Sequence, residues 1–145
     1  LEWFDFIKSK TPDSLHYFLD DSFHKITLYE NRMKEVTYKD LGNDEYEVTL
    51  NFDSQKIFYD GNGKELERGE TPNLLEIGIF AEDGENEHGM TKKTPLFFEK
   101  RWISPGEQSL TVKVKGKPVK AGIDPYNKMI DRVADDNLSN CEEAD

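Results

Sequence analysis

The sequence predicts a mainly β fold, an antiparallel, immunoglobulin-like β-sandwich of about seven strands preceded by an N-terminal helical segment. Two observations carry this. The apolar period changes from about 3.6 to 2 near residue 28, and beyond that point short alternating runs are punctuated by Gly, Pro, Asn and Asp at strand-length intervals. No βαβ rhythm, heptad or internal repeat competes with that pattern. The boundary divides the chain into a helical segment, 1–27, which reads as the tail of a preceding helical domain, and a C-terminal sandwich domain, 28–145.

The elements follow in order. Trp3, Phe4, Phe6 and Ile7 form a short apolar cluster, read as the last turn of a helix broken by Pro12. In TPDSLHYFLDDSFHKI, Thr11 is placed as N-cap, Pro12 as first helical residue, and Leu15, Phe18, Leu19, Phe23 and Ile26 share one helical face. Met33–Asp40 then begins the alternation, which is clearest where Tyr46, Val48, Leu50 and Phe52 alternate with Glu47, Thr49 and Asn51. Leu41-Gly42-Asn43-Asp44 joins these two runs as a hairpin. Further strands are expected at 56–59, 65–68, 74–81, 96–103, 109–115 and 118–123, separated by turns such as Asp60-Gly61-Asn62-Gly63, Pro105-Gly106 and Gly116-Lys117-Pro118.

Composition excludes several classes of partner and site. At 145 residues the chain is one domain with an appendage. It starts Leu-Glu-Trp-Phe without Met, a basic leader or an apolar leader, and so reads as a piece of a longer protein. The most apolar stretch, Leu74–Ala81, is short and carries Glu76, far below the ~20 residues of a membrane helix, so no direct membrane insertion is expected. Thirty acidic against nineteen basic side chains give a net charge of −11, which repels phosphate backbones, so nucleic acid is not an expected partner. Cys141, in the acidic tail, is the sole cysteine, which rules out an internal disulfide and a zinc–thiolate cluster.

Sites that suggest chemistry each have a plainer reading. His16 and His24 are eight residues apart, about two turns or ~12 Å of helical rise, too far for one metal ion. Glu82, Asp83, Glu85, Glu87 and His88 crowd AEDGENEHGM, but the order of a calcium loop is missing and a solvated loop explains them. DGNG at 60–63 serves a hairpin turn, where Gly and Asn tolerate positive φ. No Gly-x-Ser-x-Gly, His-Glu-x-x-His or glycine-rich phosphate loop occurs. KVKGKPVK at 113–120 is the basic patch, its lysines alternating with Val112, Val114 and Val119 as on the wet face of a hairpin, with docking to an acidic surface as the other reading. No catalytic, cofactor-binding or metal-binding residue is assigned. Nine Phe, six Tyr and two Trp exceed the needs of a small core, and Phe97 and Trp102 fall on opposite faces of one strand.

Three stretches together carry a resemblance: TPDSLHYFLDDSFHKITLYENR (11–32), VTYKDLGNDEYEVTL (36–50) and KAGIDPYNKMIDRVADDN (120–137). The last is the most specific, with Gly122-Ile123-Asp124-Pro125, Ile130-Asp131-Arg132 and Asp135-Asp136-Asn137. Together they resemble the C-terminal region of bacterial, Bacteroidetes-type, aminopeptidase N-like zinc metallopeptidases, often fused to ABC-transporter permease segments. The resemblance implies the tail of the helical domain that covers a peptidase site, followed by a β-sandwich. The family's zinc ligands and catalytic Glu belong upstream, and no residue here aligns with them, so zinc is expected only in that upstream domain.

The expected role is therefore that of a non-catalytic C-terminal accessory domain, not an enzyme. It would pack on the helical and peptidase domains of its own chain or shape substrate access, on the extracytoplasmic side of a membrane, with peptide substrate as a further partner. The alternative is a peptide- or glycan-binding sandwich module. Residues 120–137 are expected to close the fold: a last strand stopped at Asp124-Pro125, with Tyr126, Met129 and Ile130 folding back over the open end of the sandwich. Asp124, Asn127, Asp131 and Asp135 would then cap backbone N–H groups without calcium.

Overall fold

The computed structural model describes residues 2–85 and 91–145, with the side chains of all of these but 83–85, 91 and 92. It opens with helix α1 (Glu2–Lys10), whose acidic residues Glu2 and Asp5 lie in the first turn and Lys8 and Lys10 in the last, as the helix dipole favours. Thr11 does not cap the next helix as the spacing suggests. Its hydroxyl donates to Ile7 O at 2.9 Å, closing the end of α1 instead. A single 3₁₀ turn, Asp13–Leu15, leads into helix α2 (His16–Phe23). Ile26 belongs to strand β1, because it and Thr27 pair with Tyr59 and Phe58 across the sheet.

Two long antiparallel strands, β1 (Ile26–Gly42) and β2 (Glu45–Tyr59), are joined by Asn43-Asp44, both at positive φ (54° and 63°). This is the two-residue turn whose twist matches a hairpin. Met33 and Val36 both face inward although three residues apart, since a β-bulge between Met33 and Glu35 inserts one residue. β3 (Glu65–Arg68) and β6 (Gly106–Lys115) also pair with β2, and β9 (Glu142–Glu143) lies parallel along Thr37 and Tyr38 of β1. The second sheet runs β5 (Thr91–Ile103), β4 (Asn73–Glu85), β7 (Lys120–Ile123), β8 (Leu138–Asn140) and is antiparallel throughout. The result is a β-sandwich behind an N-terminal helical segment. Its core joins Val36, Tyr38, Val48, Leu50 and Phe52 of one sheet to Leu75, Ile77, Ile79, Ala121 and Ile123 of the other.

The inward face of β2 does not end at Phe52. Ser54 and Lys56 continue it, so the two strands the sequence suggests at 45–52 and 56–59 are one. Ser54 Oγ donates to Asn31 Oδ1 at 2.7 Å. Lys56 Nζ meets Asp21 Oδ2 of α2 at 2.6 Å, with side chains only 2% and 5% exposed, and lies over the Tyr17 ring at 5.0 Å. α2 is thereby fixed to the sheet by a buried ion pair as well as by Leu19.

The C-terminal segment ties the two sheets together. After β7 the chain leaves the second sheet, and in passing β1 Tyr29 N donates to Ile130 O (2.9 Å), Arg132 N to Tyr29 O (3.0 Å) and Asn31 N to the Asp131 carboxylate (2.9 Å). It returns as β8 on β7 and crosses again as β9 on β1. A closing clasp is correct, but its grip differs from the apolar lid the sequence suggests. Met129 packs against the core, whereas Ile130 is 71% and Tyr126 58% exposed. Cys141, far from lying in a loose tail, is half-buried between β8 and β9, and burial pushes its thiol up to about 12. Gly122 is required here, because a Cβ on it would collide with Asn137 O.

Candidate functional site

Residues 73–80 of β4 are withdrawn from solvent on both faces. Its outward residues Leu74, Glu76 and Gly78 stand opposite Trp102, Lys100 and Phe98 of β5. Over this surface lie α2 on one side and the clasp on the other. Between them is a cleft of about 270 Å³ lined by Leu15, Tyr17, Phe18, Leu74, Glu76, Lys100, Asp124, Lys128 and Met129. Tyr17 anchors the helix side, its hydroxyl accepting the Leu74 N–H at 2.9 Å while its ring lies 5.9 Å from that of Trp102. At the other end Tyr126 packs edge-on against Phe98 (5.5 Å) and Phe80 (6.1 Å). Pro125 fills the shallow place over Gly78, where a Cβ would meet its ring.

The polar floor is unusual for the middle of a β-strand. Glu76 is 6% exposed; its Oε1 holds Lys128 Nζ at 2.5 Å, and its Oε2 has no hydrogen-bond partner among the described residues. A buried acceptor left without a donor costs on the order of 1–3 kcal/mol. Asp124, at φ 44° and 1% exposed, accepts the Lys128 N–H at 3.0 Å and the Met129 N–H at 2.9 Å. Burial raises its pKa, the two backbone N–H bonds oppose the rise, and the nearby Glu76 and Asp131 charges add to it. Lys100 is exposed and carries no ion pair among the described residues. Both oxygens of Asp124 are occupied by backbone donors and one oxygen of Glu76 by a lysine.

A second surface lies on the helices. Trp3 and Phe23 meet edge-on at 5.2 Å, Phe4 lies beneath Phe23 at 5.6 Å, and Trp3 (53%), Phe6 (63%), Phe23 (49%) and Ile26 (49%) all remain open to solvent.

The residues weighed in the sequence fall as follows. His16 Nε2–H donates to Lys8 O (3.0 Å) and Thr11 O (2.9 Å), and His24 Nδ1 pairs with Asp20 Oδ1 at 2.8 Å, so each serves a helix end and the two do not meet. Asp60 accepts the Asn62 and Lys64 N–H groups, both at 2.9 Å, and DGNG is a turn. In AEDGENEHGM, β4 continues through Glu85, where a loop was expected; Glu87 and His88 lie outside the described residues. Lys113 and Lys115 are exposed and alternate with Val112 and the buried Val114. Phe97 packs on the core and Trp102 is 51% exposed, on opposite faces as expected. Asp124 and Asp131 cap backbone N–H groups as expected, Asp131 also receiving Val133 N at 2.9 Å; Asn127 and Asp135 accept no such bond. Among the described residues no three His, Cys, Asp or Glu side chains gather closely enough to share a metal ion. Sequence reasoning missed Glu76, Tyr17, Lys100 and Lys128. The one available signal was a glutamate inside the apolar run Leu74–Ala81. Comparison of the chain with protein families, curated proteins and solved structures finds no match.

Proposed function

We propose that the chain is a non-catalytic accessory β-sandwich domain of a membrane-associated, aminopeptidase N-like metallopeptidase, seated against the helical domain of its parent through the aromatic face of α1 and α2. The exposed group Trp3, Phe6, Phe23 and Ile26 carries the docking part of this reading. Apolar side chains gathered on the surface in this way mark a contact with another body, and aromatic anchors dominate such contacts. The kind of parent rests on the resemblance of 11–32, 36–50 and 120–137. Zinc belongs to the upstream peptidase domain in this reading, and the accessory domain lies on the extracytoplasmic side. No helix among the described residues is long and apolar enough to cross a membrane, so membrane spans are assigned to the parent.

The test expresses residues 1–145 and the remaining segments of the same reading frame as separate chains and measures their association. Co-elution that is lost on combining Trp3→Ser with Phe6→Ser supports the proposal. A reading frame without a zinc-ligand helix, or association indifferent to both substitutions, overturns it. The alternative of a ligand-binding module is favoured by a separate observation, the cleft lined by Tyr17 and Phe18 on one side and by Glu76, Lys100 and Lys128 on its floor.

A further inference from the structure

We propose that the cleft between α2 and the outer face of the second sheet binds a neutral saccharide. Charge balance is the first argument. Glu76 and Asp124 are matched by Lys100 and Lys128, so an anionic ligand meets two carboxylates and a cationic one meets two ammonium groups. A neutral ligand bearing hydroxyls avoids both repulsions. The second argument is the unpartnered Glu76 Oε2. Oε2 is itself closed to solvent, so a hydroxyl reaches it once the Glu76 carboxylate rotates toward the cleft; there it donates to that oxygen and accepts from Lys100, which stands opposite in the strand register and carries no ion pair among the described residues, a double role that neither an ammonium nor a carboxylate can fill.

Aromatic rings on the shelf beside the cleft give the third argument. Trp102, Lys100 and Phe98 alternate on one face of β5, so the rings flank the polar centre. Trp102 and Phe98 are four residues apart, ~13 Å along a strand. Trp102 is paired with Tyr17 and Phe98 with Tyr126. The weakly apolar C–H faces of sugar rings pack on aromatic faces while their hydroxyls point to the floor between. The central 270 Å³ is close to the lower bound of small-molecule sites, about 300–1,000 Å³, and suits one ring unit with neighbours along the shelf. The floor of the cleft offers an extended peptide no backbone ladder, because β4 is already paired on both edges, with β5 and β7.

Residues 1–145 are titrated with soluble cellulose-, xylan-, chitin- and mannan-type oligosaccharides by calorimetry, followed by tryptophan fluorescence. At least one neutral oligosaccharide binds, and Trp102→Ala and Lys100→Ala, both at exposed positions and expected to melt like the parent chain, each weaken it about tenfold or more. Glu76→Gln weakens it as well, and Trp3→Ala leaves it unchanged, which separates this site from the docking face. Absence of binding to every oligosaccharide at millimolar concentration overturns the proposal. So does affinity indifferent to Trp102→Ala and Lys100→Ala, or tighter binding of a lysine-rich or glutamate-rich peptide than of any oligosaccharide.

Discussion

Lys56 Nζ stands 2.6 Å from Asp21 Oδ2 with both side chains withdrawn from solvent, so the helical segment and the first sheet are joined by a pair in which neither charge has a replacement partner of equal burial. Removing Asp21 leaves Lys56 buried without a carboxylate, and removing Lys56 leaves Asp21 only the partly exposed Lys25, at 3.3 Å. Lys56→Met or Asp21→Asn alone is expected to cost about 3–5 kcal/mol in urea unfolding, while Lys56→Met combined with Asp21→Leu recovers most of the loss. Equal losses in the single and double variants would show the pair to be solvated in solution.

Gly122 and Gly61 differ in what surrounds them, and alanine substitution separates the two cases. At Gly122 the added methyl meets Asn137 O, backbone of the clasp, and has nowhere to go. Gly122→Ala is expected to lower stability by about 1–3 kcal/mol, as overpacking does. At Gly61 no atom lies within 4 Å, and Gly61→Ala is expected to stay within about 0.5 kcal/mol of the parent. Guanidinium unfolding of both variants reads the difference.

Asp124 makes stability depend on pH in a stated direction. Its folded-state pKa lies above the unfolded value, so the folded state binds the proton more tightly and stability falls as pH rises between the two. Each unit of separation contributes about 1.4 kcal/mol. Asp124→Asn has no such proton to bind and tolerates the same left-handed backbone. The stability of the parent relative to Asp124→Asn is therefore expected to rise as pH is lowered from 7 toward 4; a flat difference would contradict the assigned direction.

Truncation after Pro125 removes Met129, β8, β9 and the bonds of Tyr29, Ile123, Val119 and Tyr38 to the returning chain. At about 0.5–1.5 kcal/mol per hydrogen bond the loss is a large share of a typical stability of 5–15 kcal/mol. The melting temperature is expected to fall by at least about 10 °C. Because the Asp124 and Asp131 carboxylates already hold backbone N–H groups, calcium and chelator are expected to leave the intact chain's melting temperature unchanged.

The hairpin over 33–52, its turn at Leu41-Gly42-Asn43-Asp44 and the stop at Asp124-Pro125 were legible because each depends on neighbours in the chain. Alternation and turn chemistry are local signals. Lys56 and Glu76 were opaque for the opposite reason: each sits where a polar residue ought to face water and is held there by a partner 35 or 52 residues away. The inward Ser54 and Lys56 also broke the apolar alternation, which divided β2 in two. Thr11 misled because a hydroxyl before a proline suits a helix start, and nothing local reveals that the preceding helix uses it as an ending. The cleft was illegible as a site, since its walls come from α2, two strands and the clasp.

Asn31 and Asp131 are bonded across 100 residues of chain, and β9 reaches β1 later still. During synthesis, the β1–β2 hairpin leaves the ribosome with one long edge of β1 bare, and that edge stays a row of unanswered amides until residues 130–143 emerge. At ~5–20 residues per second the wait lasts several seconds. An open edge is a template for any other extended chain nearby. The bridge at Tyr29 and the two-residue strand at Thr37 and Tyr38 thus act as a late plug, and the chain's risk of joining a neighbour is set less by how stable the finished sandwich is than by how soon residues 130–143 arrive.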